Sequence, residues 1–308
     1  MRAIHLFMSD ERGKLLTERL AVSRHSVEAV YLPEDMGAKE SILEALNKLD
    51  IKIIRVKNPN DESFIDELAS AGPDLIIVAG FSTIFKPPFL AVAPRRIINL
   101  HAGLLPKYRG GSPLNWQLIM GEQNAGISII RMDKGIDTGD ILAHASFPIS
   151  TTDTIVDLHK KANALFLNLV LKVLQNFDAG NLNAVEQPKL GAKYWHQRNF
   201  EDGQIDWASS TATEVDRFIR ALVHPYPGAF SYLNGDIVRF HAAEIPELEI
   251  SGRPGRVCYV SGVGPYIICK DKALLITNYE IVESHDFSLK SKKLKIPNGV
   301  YLRLMDPA

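Results

Sequence analysis

Through the first half of the chain, short apolar runs alternate with longer stretches in which apolar residues recur every three or four positions. The runs AIHLF, VEAVYL, IKIIRV, DLIIVAG and RIINLH have the length and apolar content of buried strands. Between them, ERGKLLTERL, AKESILEALNKLD and DESFIDELASAG carry their apolar residues at helical spacing. This alternation predicts an α/β fold, a Rossmann-like and mostly parallel sheet flanked by helices, because parallel neighbours need a crossover between them. Such sheets bind ligands beyond the carboxyl ends of their strands.

After RIINLH, Ser112 is expected to cap a helix over about 113–120, with Pro113 at its first position, where a missing N–H costs nothing. AGISIIRMDKGIDTGDILAHASFPIS reads as two strands around a turn-rich loop, punctuated by Lys134-Gly135 and Thr138-Gly139. A long helix is predicted over 154–177 from the stripe Ile155, Leu158, Leu165, Leu169 and Val173, with Gly180 as its stop. Periodicity is lost over 183–206, as in a linker, so the expected domains are 1–182 and 207–308. The second contains a short helix, a hairpin at Asn234-Gly235 and further strands, which suggests a smaller OB-like, β-rich domain.

A chain of 308 residues is long for one core, which agrees with two domains. With 46% hydrophobic and 23% charged residues the composition is that of a globular protein. The formal charge of -1 gives no global attraction to nucleic acid or to an anionic membrane. The two cysteines, Cys258 and Cys269, form no CxxC and have no His cluster nearby, so reduced thiols and no metal site are expected. With neither a signal peptide nor an apolar stretch approaching the ~20 residues of a span, a cytoplasmic location is expected.

Chemistry concentrates in IINLHAGLLPKYRGGSP, residues 97–113. Because a strand alternates faces, Asn99 and His101 project to one side at the end of an inner strand, where a doubly wound sheet presents its crevice. The loop MDKGIDTGD supplies Asp133, Asp137 and Asp140, one of which could hold the imidazole if its strand lies beside RIINLH. An amide, an imidazole and a carboxylate around one cleft suit acyl-group transfer: the amide donates to an oxyanion, the imidazole moves a proton, the carboxylate orients it. No GxSxG elbow is present and neither Cys is near, so the attacking atom is expected from a substrate. No GxGxxG opens the first helix, which disfavours dinucleotide redox chemistry.

The segments NLHAGLLPKYRGGSPLNWQLIMGE and GISIIRMDKGIDTGDIL resemble the 10-formyltetrahydrofolate-dependent formyltransferases. That family includes methionyl-tRNA formyltransferases and enzymes acting on nucleotide-linked amino sugars. The stretches QRNFEDGQIDW and IRALVHPYPGAFSY extend the likeness to the C-terminal domain of two-domain members. The resemblance implies that Asn99, His101 and Asp137 form the catalytic trio, so it selects Asp137 where spacing leaves three acids open. It implies a 10-formyltetrahydrofolate donor held against Thr83, Ile84 and Phe85, against Gly103, Leu104, Leu105 and Pro106, and along Asp133, Lys134, Gly135 and Ile136. Gly103 departs from the family, which commonly has Ser there.

Methionyl-tRNA formyltransferases have an Arg/Lys-rich insertion after the second strand, whereas YLPEDMGAKESILEALNKLD opens acidic and continues as an amphipathic helix. The acceptor is therefore expected to be the primary amine of a nucleotide-linked amino sugar, with tRNA disfavoured. SLKSKKLK, residues 288–295, is the opposing feature, read as a solvated loop. Tyr108, Arg109 and Gly111 are the expected acceptor contacts; Arg109 suits a phosphate or carboxylate, and bracing of the loop is its alternative. Hydrolysis of formyl-folate and folate binding without catalysis are weighed as alternatives. No membrane partner is expected, and a homodimer is left open.

Overall fold

The computed structural model describes residues 3–35, 40–282, 291–292, 300 and 302. They form two compact units: Met1–Pro113 with Asn124–Phe147 and His159–His196, and Leu114–Gln123 with Pro148–Leu158 and Gln197–Ala308. Of the stretch read as a linker, residues up to His196 fall in the first unit and Gln197 onward in the second.

In the first unit the predicted alternation is present as β1 (Ala3–Met8), α1 (Glu11–Ala21), β2 (Ser26–Pro33), α2 (Glu40–Asn47), β3 (Lys52–Val56), α3 (Glu62–Ser70), β4 (Leu75–Ala79), α4 (Pro87–Leu90) and β5 (Ile97–His101). The chain continues through β6 (Arg109–Gly110), α5 (Pro113–Ile119), β7 (Asn124–Arg131), β8 (Ile141–Pro148), α6 (Ile155–Asp178) and β9 (Tyr194–Trp195), of which α5 beyond Pro113 and the start of α6 up to Leu158 fall in the second unit. Asp10 starts α1 by accepting from the Arg12 and Gly13 amides, two of the donors a helix start leaves unpaired. Ser112, directly before α5, has a left-handed φ of 48°.

The seven-stranded sheet runs β3-β2-β1-β4-β5-β7-β8. The pairs from β3 to β5 are parallel, and β5 with β7 is antiparallel. The strand order reverses between β1 and β4, so the crevice of this sheet opens above the ends of β1, β4 and β5. All five residues of β4 are buried, as a strand covered on both faces must be. One side of the sheet packs an aromatic cluster in which the Phe7 ring stacks on Tyr31 at 4.3 Å and meets Phe89 edge-on at 5.3 Å.

The second unit holds α7 (Ala212–Leu222), β10 (Ala229–Leu233), β11 (Asp236–Glu244), β12 (Val257–Val260), β13 (Gly264–Ile268), β14 (Ala273–Val282) and β15 (Ser291–Lys292). Its strands form an antiparallel sheet, β10-β11-β14-β13-β12, with β15 on β14. The β10–β11 hairpin turns at Asn234 (φ 53°) and Gly235 (φ 94°), the two left-handed positions a type I′ turn needs. Of the lysine-rich stretch 288–295, only Ser291 and Lys292 lie within the described residues. Cys258 and Cys269 are free thiols. No described helix is long and apolar enough to cross a membrane.

Candidate active site

At the carboxyl end of β5, Asn99 pairs with Val78 on one side and Ile130 on the other, and His101 faces Ser128. β7 runs antiparallel to β5 and ends with Arg131 opposite Ile98, so the 132–140 loop starts beside the amino end of β5 and folds back to bring Asp137 to Asn99 and His101. Asn99 Nδ2 donates to Asp137 Oδ1 at 3.4 Å, and His101 Nδ1 lies 3.4 Å from the same oxygen. The Gly110 amide donates to Asp137 Oδ2 at 2.9 Å. Of the three acids in that loop, Asp137 alone reaches the imidazole: Asp140 pairs with Arg131, and Asp133 accepts from Thr138 Oγ1 and the Gly135 amide.

The other imidazole nitrogen is committed to the backbone. His101 Nε2 lies 2.5 Å from the Tyr108 carbonyl oxygen, which can only accept, so Nε2 carries the hydrogen. Nδ1 is then the nitrogen left to exchange a proton on the Asn99 and Asp137 side. Gly103 permits this arrangement. A Cβ there would lie 2.6 Å from His101 Nε2 and 2.7 Å from the Tyr108 oxygen, against both partners of that bond.

Two supports escaped the sequence reading. Arg12 Nη1 donates to the Leu100 carbonyl at 2.5 Å, between the two functional side chains, while Nη2 bonds Asp10 at 3.2 Å. A cation in the first turn of a helix opposes the macrodipole, so its place is a sequence signal that a specific partner exists. Gln187, 4% exposed, donates from Nε2 to the carbonyls of Asp137 (2.8 Å) and Gly139 (2.6 Å). No pattern around Gln187 marks it.

The expected acceptor residues sit differently from an open contact surface. Tyr108 is 1% exposed, and its ring stacks on Trp195 at 5.6 Å. Arg109 is buried, with Nε and Nη2 donating to Gln187 Oε1 at 3.1 and 2.8 Å and Nη1 donating to the Tyr194 hydroxyl at 3.3 Å. This is a bracing arrangement, with Nε, Nη1 and Nη2 each bonded inside the protein. The Gly111 amide donates to the Trp195 carbonyl at 2.9 Å, continuing the β6–β9 pairing.

The expected donor residues divide. Thr83 and Ile84 are exposed after β4, and Ile136 is exposed on the Asp137 loop beside exposed Asp133, Lys134 and Gly135. Phe85 belongs to the aromatic core, 4.3 Å from the Phe89 ring. Leu104, Leu105 and Pro106 line a cavity of about 670 Å³ with β8 and α6, and Gly103 is buried beside His101. Ile84 and Ile136 are large apolar side chains left in solvent, 65% and 51% exposed.

Residues 22–174 match the formyl transferase family, and residues 199–291 match the formyl transferase C-terminal domain. The chain is 30% identical over 306 residues to the methionyl-tRNA formyltransferase of Legionella pneumophila (strain Corby), covering 95% of this chain and 96% of that one. This chain belongs to the formyltransferase family. It is a folate-dependent N-formyltransferase. It is also 33% identical over 295 residues to the bifunctional polymyxin resistance protein ArnA of Wigglesworthia glossinidia brevipalpis, spanning 92% of this chain and 43% of that protein. The N-formyltransferase from Helicobacter canadensis, crystallised with folinic acid and dTDP-3-aminofucose, shares the fold at a TM-score of 0.71 and 18% identity, over 90% of this chain and 99% of its own.

Proposed function

We propose that this formyltransferase moves the formyl group of 10-formyltetrahydrofolate to the primary amine of a nucleotide-linked amino sugar. The observation that carries the chemistry is the meeting of Asn99 Nδ2 and His101 Nδ1 on one oxygen of Asp137, each at 3.4 Å. The acceptor nitrogen forms a bond to the formyl carbon, the bond from that carbon to the folate nitrogen breaks, and one proton passes from the amine to the departing nitrogen. The Asn99 amide donates to the oxygen on which negative charge develops. His101 carries the proton at Nδ1, since Nε2 is held by Tyr108. Asp137 orients both partners while its second oxygen is held by the Gly110 amide. Ile84 and Ile136 supply the apolar surface for the donor's ring.

The amino-sugar acceptor is supported by the sequence between β2 and α2, Glu34-Asp35-Met36-Gly37-Ala38-Lys39, which has two acids and one base where a phosphate-binding insertion needs clustered cations. The Helicobacter canadensis protein, of the same fold, was crystallised with a nucleotide-linked amino sugar. Methionyl-tRNA formylation is the second reading, favoured by the identity with the Legionella pneumophila enzyme along nearly the whole chain. The two separate in one experiment: the enzyme with 10-formyltetrahydrofolate is given aminoacylated initiator tRNA or a panel of nucleotide amino sugars, and products are read by mass. A gain of one formyl group on a sugar and none on the tRNA is expected; the reverse overturns the acceptor. Formate release without any acceptor would mark a hydrolase.

A further inference from the structure

We propose that Gln187 is a positioning residue for this reaction: its amide group clamps the backbone of the Asp137 loop, and Arg109 holds the clamp in place. Asp137 has a left-handed φ of 53°, a conformation unfavourable for a non-glycine residue that needs outside support to persist. Gln187 Nε2 supplies that support on both sides of the loop, reaching the Asp137 carbonyl at 2.8 Å and the Gly139 carbonyl at 2.6 Å. Its Oε1 takes two bonds from the Arg109 guanidinium, at 3.1 and 2.8 Å, which fix which end of the amide faces the loop. Arg109 is followed by Gly110, whose amide holds the Asp137 carboxylate at 2.9 Å. A closed circuit therefore runs from the carboxylate through Gly110, Arg109 and Gln187 back to the Asp137 backbone. Gln187 and Arg109 are 4% and 9% exposed, so water does not replace these bonds.

The inference rests on the reading of Asp137 as a catalytic group, and its test separates the two. Gln187→Glu keeps oxygens for Arg109 but removes the donors to both carbonyls; Gln187→Met removes donors and acceptor at similar volume. In the full-length protein both variants are expected to lower kcat on the order of 10²-fold with KM for 10-formyltetrahydrofolate little changed, because the carboxylate is misplaced rather than the donor unbound. Both are also expected to speed amide hydrogen exchange across residues 133–140 while α6 exchanges as in the wild type. Exchange is read without substrate, so the clamp is judged even if the wild type transfers no formyl group. Unchanged exchange in both folded variants overturns the clamp. Faster exchange with unchanged kcat overturns the positioning role, and faster exchange with an inactive wild type overturns only the proposed reaction.

Discussion

The end of β5 and the segment 183–196 supply the same site by opposite means. The strand end supplies Asn99 and His101 through its own alternation, so two side chains face one crevice wherever that strand is placed in the sheet. The later segment has two residues of regular structure, β9, and works by reaching back: Gln187 to the Asp137 loop, Tyr194 to Arg109, Trp195 to Tyr108 and Lys107. The difference is between placement set locally by backbone period and placement set by contacts 48 or more residues apart in sequence. Chemistry sits on the first kind, and its precision depends on the second.

The largest effect is expected where the groups that meet at the end of β5 are removed. Asn99→Ala, or Asp137→Asn with its altered hydrogen-bonding end, should lower kcat by roughly 10²-fold or more, the scale for one oxyanion donor. His101→Asn should do the same by removing the proton carrier. Steady-state formyl transfer with the accepted amine measures all three. Near-normal turnover in any of them would break the assignment of the strand end as the reactive centre.

A smaller effect sharpens the comparison at Gly103, which belongs to the strand-end loop yet acts through space. Introducing a side chain with Gly103→Ser sets a Cβ against His101 Nε2, the Tyr108 oxygen and Pro113, so at least one partner of the His101–Tyr108 bond or Pro113 must shift. A loss on the order of tenfold in kcat is expected, about 1.4 kcal/mol of transition-state stabilisation. The 15N resonances of the His101 ring report the cause, since Nε2 should lose its backbone partner. An unaltered ring with unaltered turnover would mean that the loop accommodates the hydroxymethyl group.

The same division explains what the sequence made legible. The strands of the first half, the long helix, the Asn234-Gly235 hairpin and the strand-rich second unit all follow from period and turn chemistry, and the structure has them. Asn99 and His101 follow from strand alternation. Asp137 does not: three acids share its loop, and only the β5–β7 register, together with the left-handed turn, decides which carboxylate meets the ring. For Arg109 the sequence leaves anion binding and loop bracing both open, because nothing local shows that Gln187, 78 residues later, lies against it. Exposure is likewise not local: Phe85 and Ile84 are neighbours in one loop, and only the packing of Phe7, Phe81 and Phe89 makes one core and leaves the other in solvent.

A locally determined element in the second unit tests the rule by stability. Thr211 and Glu214 form a capping box at the start of α7: Thr211 Oγ1 accepts from the Glu214 amide at 3.3 Å, and Glu214 Oε2 accepts from the Thr211 amide at 2.7 Å. Thr211→Ala should cost about 1 kcal/mol in denaturant unfolding without changing the turnover of the remaining folded enzyme. A change in kcat beyond the lost folded fraction would show that the capping box has a role beyond helix stability.

The smallest effect concerns a histidine whose surroundings are set at a distance. His5 in β1 is 3% exposed, its Nδ1 lies 2.8 Å from the Tyr31 hydroxyl on the neighbouring strand, and its ring stacks on Tyr31 at 5.7 Å. Burial lowers its pKa below the ordinary 6.5; Glu28 works against that shift, and Lys52 adds to it. The unfolded chain therefore binds a proton that the folded chain resists, and stability falls as pH drops below about 6.5, levelling once the folded ring is also protonated. The Glu214 and Asp206 carboxyls, held below their usual range chiefly by hydrogen bonds from Thr211 and Ser209, lose their contributions only at more acidic pH. Urea unfolding between pH 7 and 5 should show a decline that His5→Gln flattens, while the decline below pH ~4.5 persists in the variant. An equal slope in both proteins from pH 7 to 5 would remove His5 as its source and assign the decline to another group.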